Sequence, residues 1–118
     1  MKISLLIPVY DYDIVALVHS MKNAMSKVPE FCEILIGDDG SSDEYGEKYR
    51  SLESKNVKVV FSEKNIGRAA IRNKLAMEAK GDFLLFIDAD AMLPGTAEAY
   101  ILKWLPFMKT SRVICGGT

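Results

Sequence analysis

The apolar run from Phe83 to Ile87 constrains the fold of this chain more than any other segment. Five consecutive bulky apolar residues are typical of a strand that is covered on both faces, as the strands of parallel sheets are. The acidic motif Asp88-Ala89-Asp90 follows directly. Because open α/β sheets bind their ligands at the carboxyl ends of their strands, we predict that this motif lies at a ligand-binding edge.

Two carboxylates separated by one residue are oxygen ligands that suit a hard cation. Mg²⁺ and Mn²⁺ commonly bind through one or two carboxylates together with substrate phosphates. Asp88 and Asp90 are therefore candidate metal ligands for a metal-bridged phosphate compound, most simply a nucleotide. The structural alternative is that both acids only end the strand in a polar turn before Pro94-Gly95.

Strand-like and helix-like segments alternate along the chain. Strands are predicted over residues 3–8, 32–38, 57–61, 82–88 and 112–115. Helical periodicity covers residues 13–28, and further helices are predicted to open near residues 41–44, after 65–67 and near 96. This order predicts an α/β fold with a doubly wound, mostly parallel sheet, helices on both faces and right-handed crossovers. The length of 118 residues fits one domain over residues 1–118.

Two local signals refine the predicted helix ends. Ser41 and Glu44 have the spacing of a capping box at the start of the second helix. Gly81 fits the left-handed position just past the end of the third helix.

Composition narrows the class of protein. Hydrophobic residues are 49% and charged residues 26% of the chain, as in soluble globular proteins. A formal net charge of -1 gives no overall basicity that would attract nucleic acid or an anionic membrane. No apolar run in the sequence approaches the ~20 residues of a membrane span, so no transmembrane segment is predicted. Cys32 and Cys115 are predicted to be buried reduced thiols, consistent with a cytoplasmic location.

Lys and Arg side chains crowd residues 55–80, although the whole chain is close to neutral. The cations of this stretch are Lys55, Lys58, Lys64, Arg68, Arg72, Lys74 and Lys80. Most of them are predicted to form a solvated helix face, while one or two could attract the phosphates of a ligand.

Three loops are predicted to follow strands at their carboxyl ends, at residues 8–11, 38–41 and 88–90. If the strands take the common 3-2-1-4 order, the first and fourth flank the point where the winding reverses, and all three loops border a crevice there. Tyr10 offers a flat face for a base, and Asp39 can accept hydrogen bonds from a base N–H or a ribose hydroxyl. The structural alternatives are that Tyr10 only covers the core, and that the acids at 38 and 39 cap the second helix, a role assigned mainly to Asp38.

The segments SLLIPVY at residues 4–10, ILIGDDGSSD at 34–43, NIGRAAIRN at 65–73 and DAD at 88–90 stand in this order along the chain. Together they resemble the catalytic domain of glycosyltransferase family 2, an inverting enzyme of the GT-A type. The resemblance implies hexosyl transfer from a nucleotide-diphospho-sugar, usually a UDP-sugar, with Mn²⁺ or Mg²⁺. It also implies a saccharide or lipid-linked acceptor, a role in polysaccharide biosynthesis, and a location in the cytoplasm or at the inner face of the membrane.

The same resemblance implies which residues form the donor site. Pro8, Val9 and Tyr10 are implied to frame the base, Asp39 to contact the uracil or ribose, Asp88 to lie near the ribose and the metal ion, and Asp90 to bind the metal ion on the diphosphate. Arg72, which matches the family's Arg-Asn position, and Ala89 are also implied to belong to the substrate site. The motif acids Asp88 and Asp90 are the implied metal ligands.

Two departures from the family pattern affect these expectations. Asp11 replaces the usual asparagine after the tyrosine and adds a carboxylate near the predicted donor site. The family's acidic general base and its later Gln-x-x-Arg-Trp-like segment have no counterpart after Gly117-Thr118. We therefore expect this chain to hold the donor and metal site without the acceptor half and without the base that inverting transfer needs. A homo-oligomer is one way to cover apolar surface that an interrupted fold would leave near Trp104 and residues 113–115.

Two other classes of protein share parts of this pattern. A haloacid-dehalogenase-like phosphatase also has Asp-x-Asp after an apolar strand, but the motif normally opens that fold, whereas three predicted strands precede it here. A receiver-type signalling domain has this length and five βα units, but it places paired acids after its first strand, where this chain has Pro8-Val9-Tyr10.

Overall fold

The computed structural model describes residues 2–89 and the backbone of residues 113–116. Its strands are β1 (Ile3–Val9), β2 (Phe31–Asp39), β3 (Val57–Ser62), β4 (Phe83–Ile87) and β5 (Val113–Gly116). Its helices are α1 (Val15–Lys27), α2 (Asp43–Ser51) and α3 (Arg68–Glu78). Asp90, Trp104 and the helix predicted near residue 96 lie outside the described residues, as does the side chain of Cys115.

The strands form one parallel sheet in the order β3-β2-β1-β4-β5. This confirms the predicted α/β class, and the first four strands have the 3-2-1-4 order on which the predicted crevice depended. Because the chain winds outward in opposite directions from β1 and β4, these two adjacent strands flank the point where the winding reverses. A ligand crevice is expected there, at the carboxyl ends of the strands.

Helices cover both faces of the sheet, which explains why its central strand is apolar at nearly every position. Leu5 and Ile7 of β1 belong to the core on the side of α1, together with Met21. Leu6, between them, points to the opposite face and packs with Leu75 of α3. Since successive strand residues face opposite sides, a strand buried on both faces needs an apolar residue at nearly every position.

The predicted left-handed conformation of Gly81 is wrong. Helix α3 ends before Ala79, which is extended, and only Gly40 and Gly67 have a positive φ among the described glycines. Gly81 is small for another reason: a Cβ there would lie 2.6 Å from Ser4 Oγ. Its N–H donates to the same Ser4 Oγ at 2.9 Å, so the residue lets the chain pass close against β1.

The predicted capping box at α2 is also wrong. The N-cap is Ser42, and its side chain makes no capping hydrogen bond. Ser41 Oγ instead accepts a hydrogen bond from the N–H of Asp11 at 2.9 Å, and Asp11 Oδ1 accepts one from the N–H of Ser42 at 2.8 Å. The acid that serves the start of α2 therefore comes from the β1–α1 loop, about thirty residues away in sequence.

Two further sequence expectations can be compared with the described residues. Cys32 is a free thiol, as predicted, but it is half-buried. None of the helices in residues 2–89 is both long and apolar enough to cross a membrane.

Candidate functional site

A cavity of about 260 Å³ opens at the carboxyl ends of β1, β2 and β4, where the strand order reverses. Six of the predicted donor-site residues line it, and they come from the carboxyl ends of three strands and the residues that follow them: Pro8, Val9, Tyr10, Asp39, Asp88 and Ala89. The topology explains the convergence, because the carboxyl ends of parallel neighbours meet at one edge of the sheet. Tyr12, Arg68 and Ile71 line the same cavity and were not predicted.

Tyr10 and Asp11 form the loop that leaves β1. Tyr10 is 54% exposed, so its ring is available to a ligand. Asp11 has φ 46°, a left-handed conformation that aspartate tolerates better than most residues. Its carboxylate accepts a hydrogen bond from the N–H of Ser42. A negative charge at this place, near the positive end of α2, is stabilising. The Asp11 carboxylate, which departs from the family pattern, thus ties the loop after β1 to the start of α2.

Asp39 ties the end of β2 to the loop before α3. The residue is only 5% exposed, and its Oδ1 and Oδ2 accept hydrogen bonds from the N–H groups of Ile66 at 2.7 Å and Gly67 at 3.2 Å. Each carboxylate oxygen can accept about two hydrogen bonds, so both retain capacity for a ligand. Asp38, by contrast, is buried and accepts the N–H of Ser41 at 2.9 Å. Ser41 precedes the N-cap Ser42, so Asp38 holds the turn between β2 and α2, and the helix cap predicted for it is wrong.

Asp88 leaves the end of β4 and is held from α3. Arg72 Nη2 donates to Asp88 Oδ1 at 3.2 Å, and both side chains are part-exposed. The Arg72 guanidinium carbon also lies 5.4 Å from the centre of the Phe86 ring, within the range of a cation–π contact. Arg72 is not among the residues that line the cavity; it contacts Asp88 instead and orients that carboxylate.

The predicted metal ligands are only partly described. Asp88 lines the cavity, whereas Asp90 lies outside the described residues. Within residues 2–89, no group of three or more His, Cys, Asp or Glu side chains is placed to hold a metal ion.

Among the unpredicted residues, Arg68 has a signal in the sequence. Arg68 was grouped with the other cations of residues 55–80 as helix surface, although it follows Gly67 directly and opens α3. A helix that begins after β3 must begin at the same sheet edge as the predicted loops, and this places Arg68 there. Tyr12 needed tertiary information, because a contact with α2 determines its position.

The hydroxyl of Tyr49, on α2, holds the backbone of Tyr12 at both ends. It accepts the N–H of Tyr12 at 3.1 Å and donates to the Tyr12 carbonyl at 2.7 Å. Tyr49 is 1% exposed. Burial raises the pKa of its hydroxyl above the ordinary 10.0, and the Asp38 and Asp11 carboxylates act in the same direction. One buried hydroxyl therefore fixes the loop that carries Tyr10 and Tyr12 to the cavity.

We expect Tyr49→Phe to lower the free energy of unfolding by about 1–2 kcal/mol, since two backbone groups of Tyr12 lose their partner. The stabilisation by Tyr49 is fully present below pH 10.0 and is lost as pH rises through the raised pKa. Denaturant unfolding should therefore show a smaller difference in the free energy of unfolding between wild type and variant above pH 10.0 than at neutral pH. Tyr45→Phe, on the same helix, is the matched control, and a gap independent of pH would contradict the role.

Comparison with known proteins adds a decisive observation. The family described as "Glycosyl transferase family 2" matches residues 4–114, nearly the whole chain. The chain belongs to glycosyl transferase family 2. The family resemblance inferred from the four sequence segments is thereby confirmed, and so is the GT-A-like fold.

Individual glycosyltransferases are also similar to this chain. An uncharacterized glycosyltransferase of Haemophilus influenzae is 30% identical over 114 residues, covering 95% of this chain and 44% of the relative. The poly(ribitol-phosphate) beta-glucosyltransferase of Bacillus spizizenii is 32% identical over 117 residues, covering 95% of this chain and 18% of the relative. S. aureus TarS 1-349 in complex with UDP-GlcNAc superimposes with a TM-score of 0.62 and 29% identity, covering 93% of this chain and 32% of that structure.

The chain thus spans less than half the length of these two glycosyltransferases. Family membership and strand order argue against the two alternative classes. Receiver domains have the flavodoxin-like order 2-1-3-4-5, which differs from the order observed here. The Asp-x-Asp motif follows β4 and does not open the fold, unlike that of the phosphatases.

Proposed function

We propose that this protein binds a UDP-sugar in the cavity at the switch point and takes part in transferring the sugar, a hexose, to an acceptor hydroxyl with inversion. The observation that carries the proposal is the convergence of Tyr10, Asp39 and Asp88 on one cavity, in a chain of glycosyl transferase family 2. The UDP-GlcNAc complex of the similar TarS supports uridine as the nucleoside.

The donor is proposed to lie across β1, with its base towards β2 and its diphosphate towards β4. Asp39, at the end of β2, would accept the base N–H or a ribose hydroxyl with the lone pairs that Ile66 and Gly67 leave available. Tyr10 would offer its exposed ring to the base. Asp88, at the end of β4, stands on the diphosphate side.

A divalent cation, Mn²⁺ or Mg²⁺, is proposed to bind Asp88, with Asp90 as the second ligand predicted from the sequence. The Asp88 carboxylate fits this role because the contact with Arg72 uses one lone pair of Oδ1, and a carboxylate has about four. The arginine also holds the carboxylate in one orientation. When bound, the cation would neutralise negative charge that develops on the leaving diphosphate.

The acceptor is proposed to be a saccharide or lipid-linked hydroxyl, and the reaction to belong to polysaccharide biosynthesis in the cytoplasm. Inversion requires a general base that deprotonates this hydroxyl opposite the leaving group. We assign no residue of 2–89 to that role. The expectation that this chain lacks the base stays a prediction, which sugar transfer by the isolated chain would contradict.

Calorimetric titration with UDP, with and without Mn²⁺, tests the donor site. We expect UDP binding that depends on Mn²⁺, and a loss of affinity of at least about tenfold in Asp88→Asn, because an amide cannot replace a charged oxygen ligand. Asp90→Ala should behave in the same way. Glu78→Gln removes an exposed carboxylate from α3, away from the cavity, and should bind UDP like the wild type.

A folded wild-type chain that shows no affinity for UDP, with or without Mn²⁺, would overturn the donor site. Circular dichroism of each variant establishes that the fold is intact. If Asp88→Asn bound UDP and Mn²⁺ like the Glu78→Gln control, the cation site at Asp88 would be wrong while the nucleotide site would stand.

A further inference from the structure

A second cavity, of about 180 Å³, opens at the amino ends of β1, β2 and β3, on the edge of the sheet opposite the candidate donor site. We call it the amino-edge cavity. The seven residues of β1 separate the two cavities, and at about 3.3 Å per residue they span roughly 20 Å. A ligand of the amino-edge cavity is therefore distinct from the nucleotide proposed at Asp88.

Lysines make up most of the lining of the amino-edge cavity. Lys2 precedes β1, Lys55 and Lys58 lie before and within β3, and Lys80 follows α3. Most cations of residues 55–80 are predicted from the sequence to form a helix face, but the three that line this cavity lie outside the helices. The topology brings them together, because the amino ends of parallel strands meet at one edge of the sheet.

The charges of these four lysines are available to a ligand. All four residues are exposed, and none of them forms an ion pair with a carboxylate in the part of the chain that the structure describes. Lys80 is favourable near the negative end of α3, and Lys58 protects the edge strand β3 from pairing with another chain. Neither effect explains why lysines from separate segments converge on one cavity.

A buried carboxylate completes the wall of the cavity. Glu33, on β2, is only 6% exposed and lines the cavity. Its Oε2 accepts hydrogen bonds from Ser4 Oγ at 2.7 Å and from the N–H of Lys80 at 2.6 Å. Among the described residues, none donates to Glu33 Oε1. Since a carboxylate oxygen accepts about two hydrogen bonds, Oε1 can receive a donor group from a ligand.

We propose that the amino-edge cavity binds a phosphate ester that carries a free hydroxyl group. The ammonium groups of the lysines, which have only donors, hold the phosphoryl oxygens, and Glu33 Oε1 accepts a hydrogen bond from the hydroxyl. Four lysines against one carboxylate leave the cavity positive, so it attracts an anion. Its volume of about 180 Å³ equals that of roughly six waters at ~30 Å³ each, which suits a phosphoryl group on a short polyol.

The test titrates isotope-labelled protein with glycerol phosphate and with methyl phosphate, in the absence of metal and nucleotide, and follows the amide NMR signals. We expect glycerol phosphate to shift the signals of Glu33 and Lys80 most. Methyl phosphate should bind about tenfold more weakly, because it has no hydroxyl on its carbon chain for Glu33. Glu33→Gln should remove most of this preference, since it loses the charged acceptor.

The double variant Lys58→Ala/Lys80→Ala should bind glycerol phosphate about tenfold more weakly, because two exposed charges that each contribute modestly are lost. Lys22→Ala is the matched control: it removes an exposed cation from α1, outside both cavities, and should bind like the wild type. Circular dichroism establishes that each variant is folded. If Glu33→Gln does not fold, the comparison of the two esters in the wild type still decides the hydroxyl contact.

Co-sedimentation with phosphatidylglycerol vesicles, compared with phosphatidylcholine vesicles, distinguishes the two sources of such an ester. Affinity for free glycerol phosphate without retention on vesicles assigns a soluble ligand. Retention that the double variant abolishes, without affinity for the free ester, assigns a lipid headgroup.

A wild type that binds neither the free ester nor the vesicles would overturn the site, as would an unchanged affinity in the double variant. Equal affinities for the two esters would overturn the contact with Glu33. Asp88→Asn should bind glycerol phosphate like the wild type, so that failure of the UDP site and failure of the amino-edge cavity are separate results.

Discussion

Gly40→Ala is expected to lower the free energy of unfolding by about 3 kcal/mol. Gly40 has φ +74°, and an added Cβ would lie 2.5 Å from the backbone nitrogen of Asn65 and 2.6 Å from the carbonyl carbon of Lys64. The positive φ strains an L-residue by about 1–2 kcal/mol. The short distances to the added Cβ force two loops apart, because backbone atoms cannot rotate away as a side chain can.

Thermal and denaturant unfolding of the variant measure this effect. Gly46→Ala is the matched control, since that glycine lies within α2 and its nearest neighbour to a new Cβ is Asp38 Oδ2, at 3.6 Å. The control should be neutral or stabilised by about 0.5–1 kcal/mol. A destabilisation of Gly40→Ala below about 1 kcal/mol would mean that the two loops separate without resistance.

Asp39→Ala is expected to reduce both stability and nucleotide binding. Two N–H groups, of Ile66 and Gly67, lose the acceptor that holds them, which should lower the free energy of unfolding by about 2 kcal/mol. The start of α3 also loses a nearby negative charge. If Asp39 accepts a hydrogen bond from the base as proposed, UDP affinity should fall by about 10–100-fold.

Denaturant unfolding and UDP titration, both below the melting temperature, separate the two effects of Asp39→Ala. Glu63→Ala removes an exposed carboxylate from the loop that carries Ile66 and Gly67, and it should change neither the free energy of unfolding nor the UDP affinity. Wild-type UDP affinity in a destabilised Asp39→Ala would limit the aspartate to its structural contacts. The opposite pattern, lost affinity at unchanged stability, would show that Ile66 and Gly67 hold their positions without it.

Much of the fold was predictable because apolar periodicity is a local property of the sequence. Phe83–Ile87 is a buried strand in the structure, as its five apolar residues indicate. The convergence of Tyr10, Asp39 and Asp88 was predictable for a related reason, since each follows a parallel strand and such strands end at one edge. Their roles towards a ligand remain predictions.

The errors at α2 and α3 have a common cause. The spacing of Ser41 and Glu44 is that of a capping box, but Ser41 is engaged by Asp11 from another loop. Gly81 has the position of a helix-ending glycine, but its contact is with Ser4 on β1. In both cases a contact distant in sequence replaced the local one, which no short motif can reveal.

The family, the alternation of strands and helices and the three loops that reach the cavity could be read from the sequence, because they follow from local patterns and from the geometry of parallel sheets. The order of the strands and the partners of the polar side chains became known from the folded structure. Asp11 faces α2, Tyr49 holds the loop of Tyr12, and Asp88 is paired with Arg72. These assignments depend on hydrogen bonds of 2.7–3.2 Å, between residues that the folded backbone brings together from distant parts of the chain.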